Sequence, residues 1–307
     1  EQYKDSLKNL SKNNIKTICY NFMPIVDWIR TDLNYRLSDG SIALKYNHFH
    51  MCIFEVFILK LKRAEERYTN NEISIAKRLM KTLTNKERDN IKKSLMGGLA
   101  ANDRQYSLKN LRYEISQYKE INHTDLRNNL KLFLREIFPV LKDLNIYYCI
   151  HPDDPPYNIY GLPRIVSNEK DIKFITSIFK DEQNGITFCS GSLGVNKENN
   201  LVNIIRKYGK YINFIHLRNI IREDKSYNFH EAHHLEGDVN MVQIIKALLK
   251  EEGRRKKNNN LNDQIPMRPD HGHTILHDQN RSTIPGYSLL GRMKGLAEIK
   301  GIIKSLE

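Results

Sequence analysis

The chain has 307 residues, 49 Lys and Arg against 36 Asp and Glu, a formal charge of +13, 40% hydrophobic and 9% aromatic residues, and four cysteines. That apolar content with so few cysteines excludes a collagen-like chain, a disulfide scaffold and a bulk-disordered chain, and leaves a folded protein of a reducing compartment. The charge invites a nucleic-acid reading, but Lys rises together with Ile and with 32 Asn; all three have AT-rich codons, so compositional drift accounts for most of it and no specific nucleic-acid partner is expected.

Taken in order, the first residues, EQYKDSLKNLSKNN, lack the apolar core of a signal peptide and read as an amphipathic helix with Tyr3, Leu7 and Leu10 on one face. No apolar run is long enough to span a bilayer, so no membrane is expected. A first buried strand is predicted in residues 15–24, IKTICYNFMP. The next follows only after about 120 residues, far more than one βα connection needs. Most of that interval reads as helix: HFHMCIFEVFILKLKRAEERY is apolar enough to be buried, EISIAKRLMKTL follows, and TNKERDNIKKSLMGG opens on a Thr84/Glu87 capping box. Residues 34–122 are accordingly read as a helical insertion over the C-terminal edge of a sheet.

A helix is then predicted over 126–144, with Leu130, Phe133, Leu134, Ile137 and Leu141 on one stripe. Four more short apolar runs follow, at 144–152, 185–191, 211–219 and 263–272, separated by the helical patterns EKDIKFITSIFKD, LVNIIRKYG and NMVQIIKALLKEEG. Gly209 and Gly253 stand where helices end, and GRRKKNNNLND (253–263) reads as a solvated loop. Strands alternating with helices require a parallel sheet with right-handed crossovers, an α/β fold.

What singles the chain out is where its metal-capable side chains fall. His151 ends the second strand, Cys189 the third, His216 the fourth, and Asp270 with His271 the fifth. In parallel α/β folds these ends share one face, where active sites lie. One strand-end histidine is usually a hydrogen-bonded framework residue and one cysteine a small hydrophobe. Four such residues on consecutive strands point instead to a metal centre, and imidazole with thiolate favours Zn²⁺ or Fe²⁺. Asp153, Asp154, Arg218, Asn219, Glu231, His233, His234 and Asp238 accompany them; singly, Asp153, Asp154 and Asp238 are expected to be solvated loop charges.

At this point CYNFMPIVDWIRTDL, CIHPDDPPYNIYGLPRIVS, CSGSLG, FIHLRN, FHEAHHLEGDVNM, IPMRPDHGH and PGYSLLGRMKGLAEIKG together resemble the mannonate dehydratase family, hydro-lyases of hexuronate (glucuronate) breakdown. The resemblance runs over about residues 2–303 and extends to MGGLA and YSLKNLR in the insertion. It implies a xylose-isomerase-like TIM (β/α)8-type barrel and a cytoplasmic homo-oligomer that converts D-mannonate to 2-dehydro-3-deoxy-D-gluconate and water. The metal it implies is Mn²⁺ or Fe²⁺, held by His151, Cys189, His216 and Asp270, the quartet that the strand ends select. Catalytic roles fall to His271 and Tyr287 beside Asp270. Arg218, Asn219, His233 and His234 are expected on the substrate side, since a polyol acid needs many donors and a cation for its carboxylate; Asn21 and Arg292 join them. The alternative is another metal-dependent sugar isomerase or a nuclease of the same barrel type.

The family's barrel needs eight parallel strands and five are found, so residues 1–307 are read as a single incomplete barrel domain lacking three N-terminal βα units. An open sheet of that kind exposes an edge and an apolar face. Association, with weak or no activity of the chain by itself, is the expectation.

Overall fold

The computed structural model describes residues 1–97, 107–223, 227–258 and 262–307. Residues 98–100 of the MGGLA motif, Tyr106 of YSLKNLR and residues 259–261 of the GRRKKNNNLND loop lie outside the described residues.

Nine strands are formed among the described residues: β1 (Thr17–Tyr20), β2 (Asp32–Arg36), β3 (Ile42–Tyr46), β4 (Tyr147–Ile150), β5 (Asn184–Cys189), β6 (Ile212–Leu217), β7 (Asn219–Arg222), β8 (Phe229–Ala232) and β9 (Met267–Pro269). The five expected strands make one parallel sheet in the order β1-β4-β5-β6-β9. Each is preceded by a helix: Gln2–Lys12, His123–Asp143, Glu169–Ile178, Leu201–Tyr208 and Met241–Lys257 in turn.

The sheet is curled. In a flat sheet β1 and β6, with two strands between them, would stand about 14 Å apart, yet their Cα atoms approach within 8 Å. The helices cover its outer face. Helix His123–Asp143 is anchored by an Asn122/Asp125 capping box and buries Leu126, Leu130, Leu134, Ile137 and Leu141, which pack with Tyr148, Ile150, Ile186 and Phe188 of the sheet. Each fully buried Leu or Ile of that stripe stabilises the fold by about 1.5–3 kcal/mol.

The interval between β1 and β4 is not wholly helical. It opens with the β2–β3 hairpin, whose turn carries Gly40 at φ +83°. β3 then pairs with β8, and β8 with β7, giving an antiparallel sheet in the order β2-β3-β8-β7. Because β7 starts two residues after β6 ends, this second sheet stands on the C-terminal end of the first. The apolar run 48–68 is not one helix: His48–Cys52 runs into a π-helical turn, Ile53–Ile58, and a separate 3-10 turn, Ala64–Arg67, follows; then come helices Asn70–Thr82 and Asn85–Gly97, where their patterns placed them, and Leu108–Gln117. The Thr84/Glu87 reciprocal bonds are present. Gly209 caps helix Leu201–Tyr208. Gly253 does not end its helix, which continues to Lys257. Among the described residues no helix is long and apolar enough to cross a membrane.

Candidate active site

Strand register gathers the polar strand ends. Cys189 and His216 are register partners on β5 and β6; the His151 amide bonds the carbonyl of Tyr20 at 2.8 Å, and the Asp270 amide that of Leu217 at 2.9 Å. One ligand atom from each of His151, Cys189 and His216 lies within 4.8 Å of the others, all three residues buried. Asp270 adjoins this trio, its Oδ2 3.7 Å from His216 Nδ1.

The donor chemistry fits a cation. His151 Nδ1 is 2.7 Å from the Pro152 carbonyl, an acceptor, and 3.3 Å from the Trp28 indole nitrogen, a donor; the shorter contact selects the Nδ1–H tautomer, in which Nε2 offers its lone pair. That Nε2 faces His216 Nδ1 at 3.1 Å, while His216 Nε2 is buried without a partner. Burial pushes the His151 imidazole down to about 4 and lowers His216 as well, favouring the neutral form that metals require. Burial alone would raise the Cys189 thiol, but Arg218 and His216 hold it below its ordinary value, and Ser192 Oγ donates to the sulfur at 3.2 Å. Burial would likewise raise Asp270, yet His271, His216 and Arg218 keep it well below the usual carboxylate range.

Beside the trio stands a second group. His271 occupies the left-handed region, φ +57°, and its Nδ1 lies 2.7 Å from both carboxylate oxygens of Glu231. Its ring meets that of Tyr287 edge-on, centroids 5.1 Å apart. Gly272 and Tyr287 form a β-bridge that fixes the tyrosine's backbone. Burial and the Asp270 carboxylate push the Tyr287 hydroxyl up to about 12, so it is protonated at neutral pH. The Arg292 guanidinium lies 5.7 Å from the Tyr287 ring, its Nε buried without a partner.

The remaining expected residues fall into different settings. Arg218 is buried and bound to Asp154 at 2.6 Å; Gly191 packs so closely that a Cβ there would meet Arg218 Nε at 2.1 Å. The Asn219 amide is fully used by the backbone, donating to the carbonyls of His234 and Val239 and accepting from the amides of Ile220 and Val239. His234 is buried against Gly295 of helix Leu289–Leu306. His233 bonds Asp39 of the hairpin turn at 3.0 Å. Asn21 lies exposed just past β1. The solvated setting expected of Asp153 and Asp154 is not found: both are 0% exposed. Asp153 accepts from the Val166 amide at 2.6 Å and Ser167 Oγ at 3.0 Å, and Asp154 accepts from two arginines. Asp238, by contrast, is partly exposed, paired with Arg222 at 3.1 Å.

Sequence reasoning missed Arg30. It is fully buried, forks onto Asp154 at 2.8 and 3.0 Å, and reaches Glu231 at 2.9 Å. It missed Trp28 too, which stands edge-on to His151 with centroids 5.1 Å apart. The one signal lay in DWIRTDL, where Arg30 sits between Ile29 and Thr31 ten residues past the end of β1.

A curled parallel sheet with a buried imidazole–thiolate cluster able to hold a metal ion, and a His271–Tyr287 ring contact beside it at the C-terminal strand ends, is the layout of an α/β enzyme site. The D-mannonate dehydratase (UxuA) family profile matches residues 1–307. A mannonate dehydratase of Marinomonas sp. is 45% identical over 302 residues, 98% of this chain and 77% of that protein. One of Saccharophagus degradans is 41% identical over 308 residues, 100% of this chain and 77% of that protein. The crystal structure of mannonate dehydratase from Streptococcus suis serotype 2 superposes with a TM-score of 0.71 at 28% identity, covering 99% of this chain and 70% of that one. The chain belongs to the D-mannonate dehydratase family.

Proposed function

We propose that this protein dehydrates D-mannonate to 2-dehydro-3-deoxy-D-gluconate in hexuronate catabolism. The observation that carries the reading is the buried His151–Cys189–His216 cluster with Asp270 beside it, next to a Glu231-bound His271 in ring contact with Tyr287. Family membership supports the substrate.

These four ligands would hold Mn²⁺ or Fe²⁺, of which Fe²⁺ also suits the thiolate and imidazoles. Such an ion supplies Lewis acidity toward oxygen atoms of a sugar acid. The chain's own groups divide the proton work. His271 Nε2 takes the C2 proton as the electron pair moves into a C2–C3 double bond, and the C3–O bond breaks. Tyr287, protonated at neutral pH, gives its proton to the departing hydroxyl, which leaves as water. The enol left behind takes a proton at C3 and becomes the 2-keto acid. Arg292, Asn21 and His233 are assigned to the substrate's carboxylate and hydroxyls, whereas Arg218, Asn219 and His234 frame the pocket. The curled sheet is read as an arc of a xylose-isomerase-like (β/α)8-type barrel.

His271→Asn and Tyr287→Phe should each abolish turnover of D-mannonate by the native protein with metal content unchanged. Near-normal rates in either variant, measured as 2-keto acid formed, would refute the assignment.

A further inference from the structure

We propose that Arg30 and Glu231 are positioning residues for His271: with Asp154 and Arg218 they close a buried ring of alternating charges whose link to the reaction is the Glu231–His271 bond. The inference rests on the reading of His271 as the proton-transfer group and deepens it.

The ring can be walked. Arg30 forks onto Asp154 at 2.8 and 3.0 Å, and Asp154 Oδ2 accepts from Arg218 at 2.6 Å. Arg218 Nη1 lies 3.5 Å from Glu231, and Glu231 returns to Arg30 at 2.9 Å. Two guanidiniums and two carboxylates cancel, and no side chain in the ring is more than 3% exposed. A lone buried pair is held weakly against its desolvation cost, but a closed ring satisfies each charge twice. Its members come from four places: the loop before β2, the loop after β4, the residue between β6 and β7, and β8 itself. The ring therefore ties the antiparallel sheet to the parallel one at the place where His271 sits.

Its effect on His271 is geometric. An ionised carboxylate only accepts, so the Nδ1 held between both Glu231 oxygens at 2.7 Å must carry the proton. In the neutral imidazole Nε2 is then left with the lone pair, the form a base at C2 needs. Arg218 Nη1, 3.4 Å from the same Nδ1, is a donor facing a donor and so a neighbour rather than a partner. Gly286 lies beside the imidazole, close enough that a Cβ there would be in van der Waals contact with His271 at 3.4 Å. Arg30 acts one step back. Without it Glu231 keeps only the longer Arg218 contact, made to the same Oε1 that Arg30 holds, and the carboxylate is free to turn off His271.

The test uses metal-loaded native protein and the variants Glu231→Gln, Glu231→Asp and Arg30→Lys, with D-mannonate kinetics, metal stoichiometry and ¹⁵N signals of His271 in the Zn²⁺-loaded form. Glu231→Gln should lower kcat by about a hundredfold or more, with KM within about threefold and metal content unchanged. Glu231→Asp should recover part of that loss, and Arg30→Lys, which keeps the charge but not the fork, should lower kcat by about tenfold. The wild-type ¹⁵N spectrum should show the Nδ1–H tautomer of His271, and Glu231→Gln a mixture. A Glu231→Gln kcat within threefold of wild type, or a loss that tracks metal content or KM, overturns the proposal. If that variant does not fold, a wild-type His271 in the Nε2–H tautomer overturns it equally. Failure of wild type to dehydrate D-mannonate would instead sink the functional reading, a separate outcome read in the same assay.

Discussion

Replacing Asp154 by alanine and Asp238 by alanine compares two aspartates that look alike in sequence and differ in the fold. Asp154 is 0% exposed and accepts from Arg30 at 2.8 and 3.0 Å, from Arg218 at 2.6 Å and from Ser192 at 3.2 Å. Burial alone would raise its carboxyl, but Arg218 and Arg30 outweigh that and hold it well below the usual range. Its removal leaves two buried guanidiniums with Glu231 as the ring's one carboxylate and Asp270 3.9 Å from Arg218, so the ring passes from neutral to a net charge of one. Breaking a buried pair from one side costs about 3–5 kcal/mol, and with two arginines stranded the upper end is expected. Asp238 has a side chain 33% exposed and pairs with an equally exposed Arg222, a contact of about 0.2–1 kcal/mol, to which its bond from the Arg222 amide adds about 1 kcal/mol. Urea unfolding at neutral pH, followed by circular dichroism and extrapolated to water, reads both. If Asp154→Ala loses no more stability than Asp238→Ala, the buried ring does not have the energetic weight assigned to it.

Other expectations concern packing, metal and pH. A Cβ at Gly295 would lie 2.3 Å from the His234 ring, whereas at Gly253, also helical, it would meet nothing within 4 Å. Gly295→Ala should therefore destabilise by about 1–3 kcal/mol and Gly253→Ala stabilise by about 0.4–1 kcal/mol, both by thermal unfolding. Cys189→Ala should release the bound metal, read by elemental analysis after gel filtration, while Tyr287→Phe retains it. Glu231 carries a pH signature: burial would raise its carboxyl, but His271 and Arg218 bring it from 4.5 to about 2. A carboxyl depressed on folding contributes stability above its unfolded value and loses it as pH falls through the folded one. About 3 kcal/mol should thus disappear between about pH 4.5 and 2, and Glu231→Gln should flatten that part of the stability profile.

How much of this was legible in the sequence depends on whether the signal was local. His151, Cys189, His216 and Asp270 each end an apolar run, so strand periodicity alone set them on one sheet edge, and β-sheet register then brought them together. The charge ring had no such mark. Arg30 meets Asp154 and Glu231 across 124 and 201 residues, and nothing in DWIRTDL or HPDDPP says which charge will find a partner. Asp153 and Asp154 consequently read as solvated. The β2–β3 hairpin did leave a local signal, Asp39-Gly40 between alternating apolar residues, which the buried helical run after it overshadowed. Asn219 and His234 look like substrate donors because they are polar and close to a strand end. In the fold, the amide of one ties down the 234–239 loop and the ring of the other fills the space over Gly295.

The most direct measurement of the central claim is the product formed from D-mannonate by the native, Mn²⁺- or Fe²⁺-loaded protein in D₂O, followed by NMR. Dehydration through the enol gives 2-dehydro-3-deoxy-D-gluconate carrying one solvent deuteron at C3, and His271→Asn gives no product. A ketose, an epimer of the starting acid, or a product without that deuteron would contradict that claim.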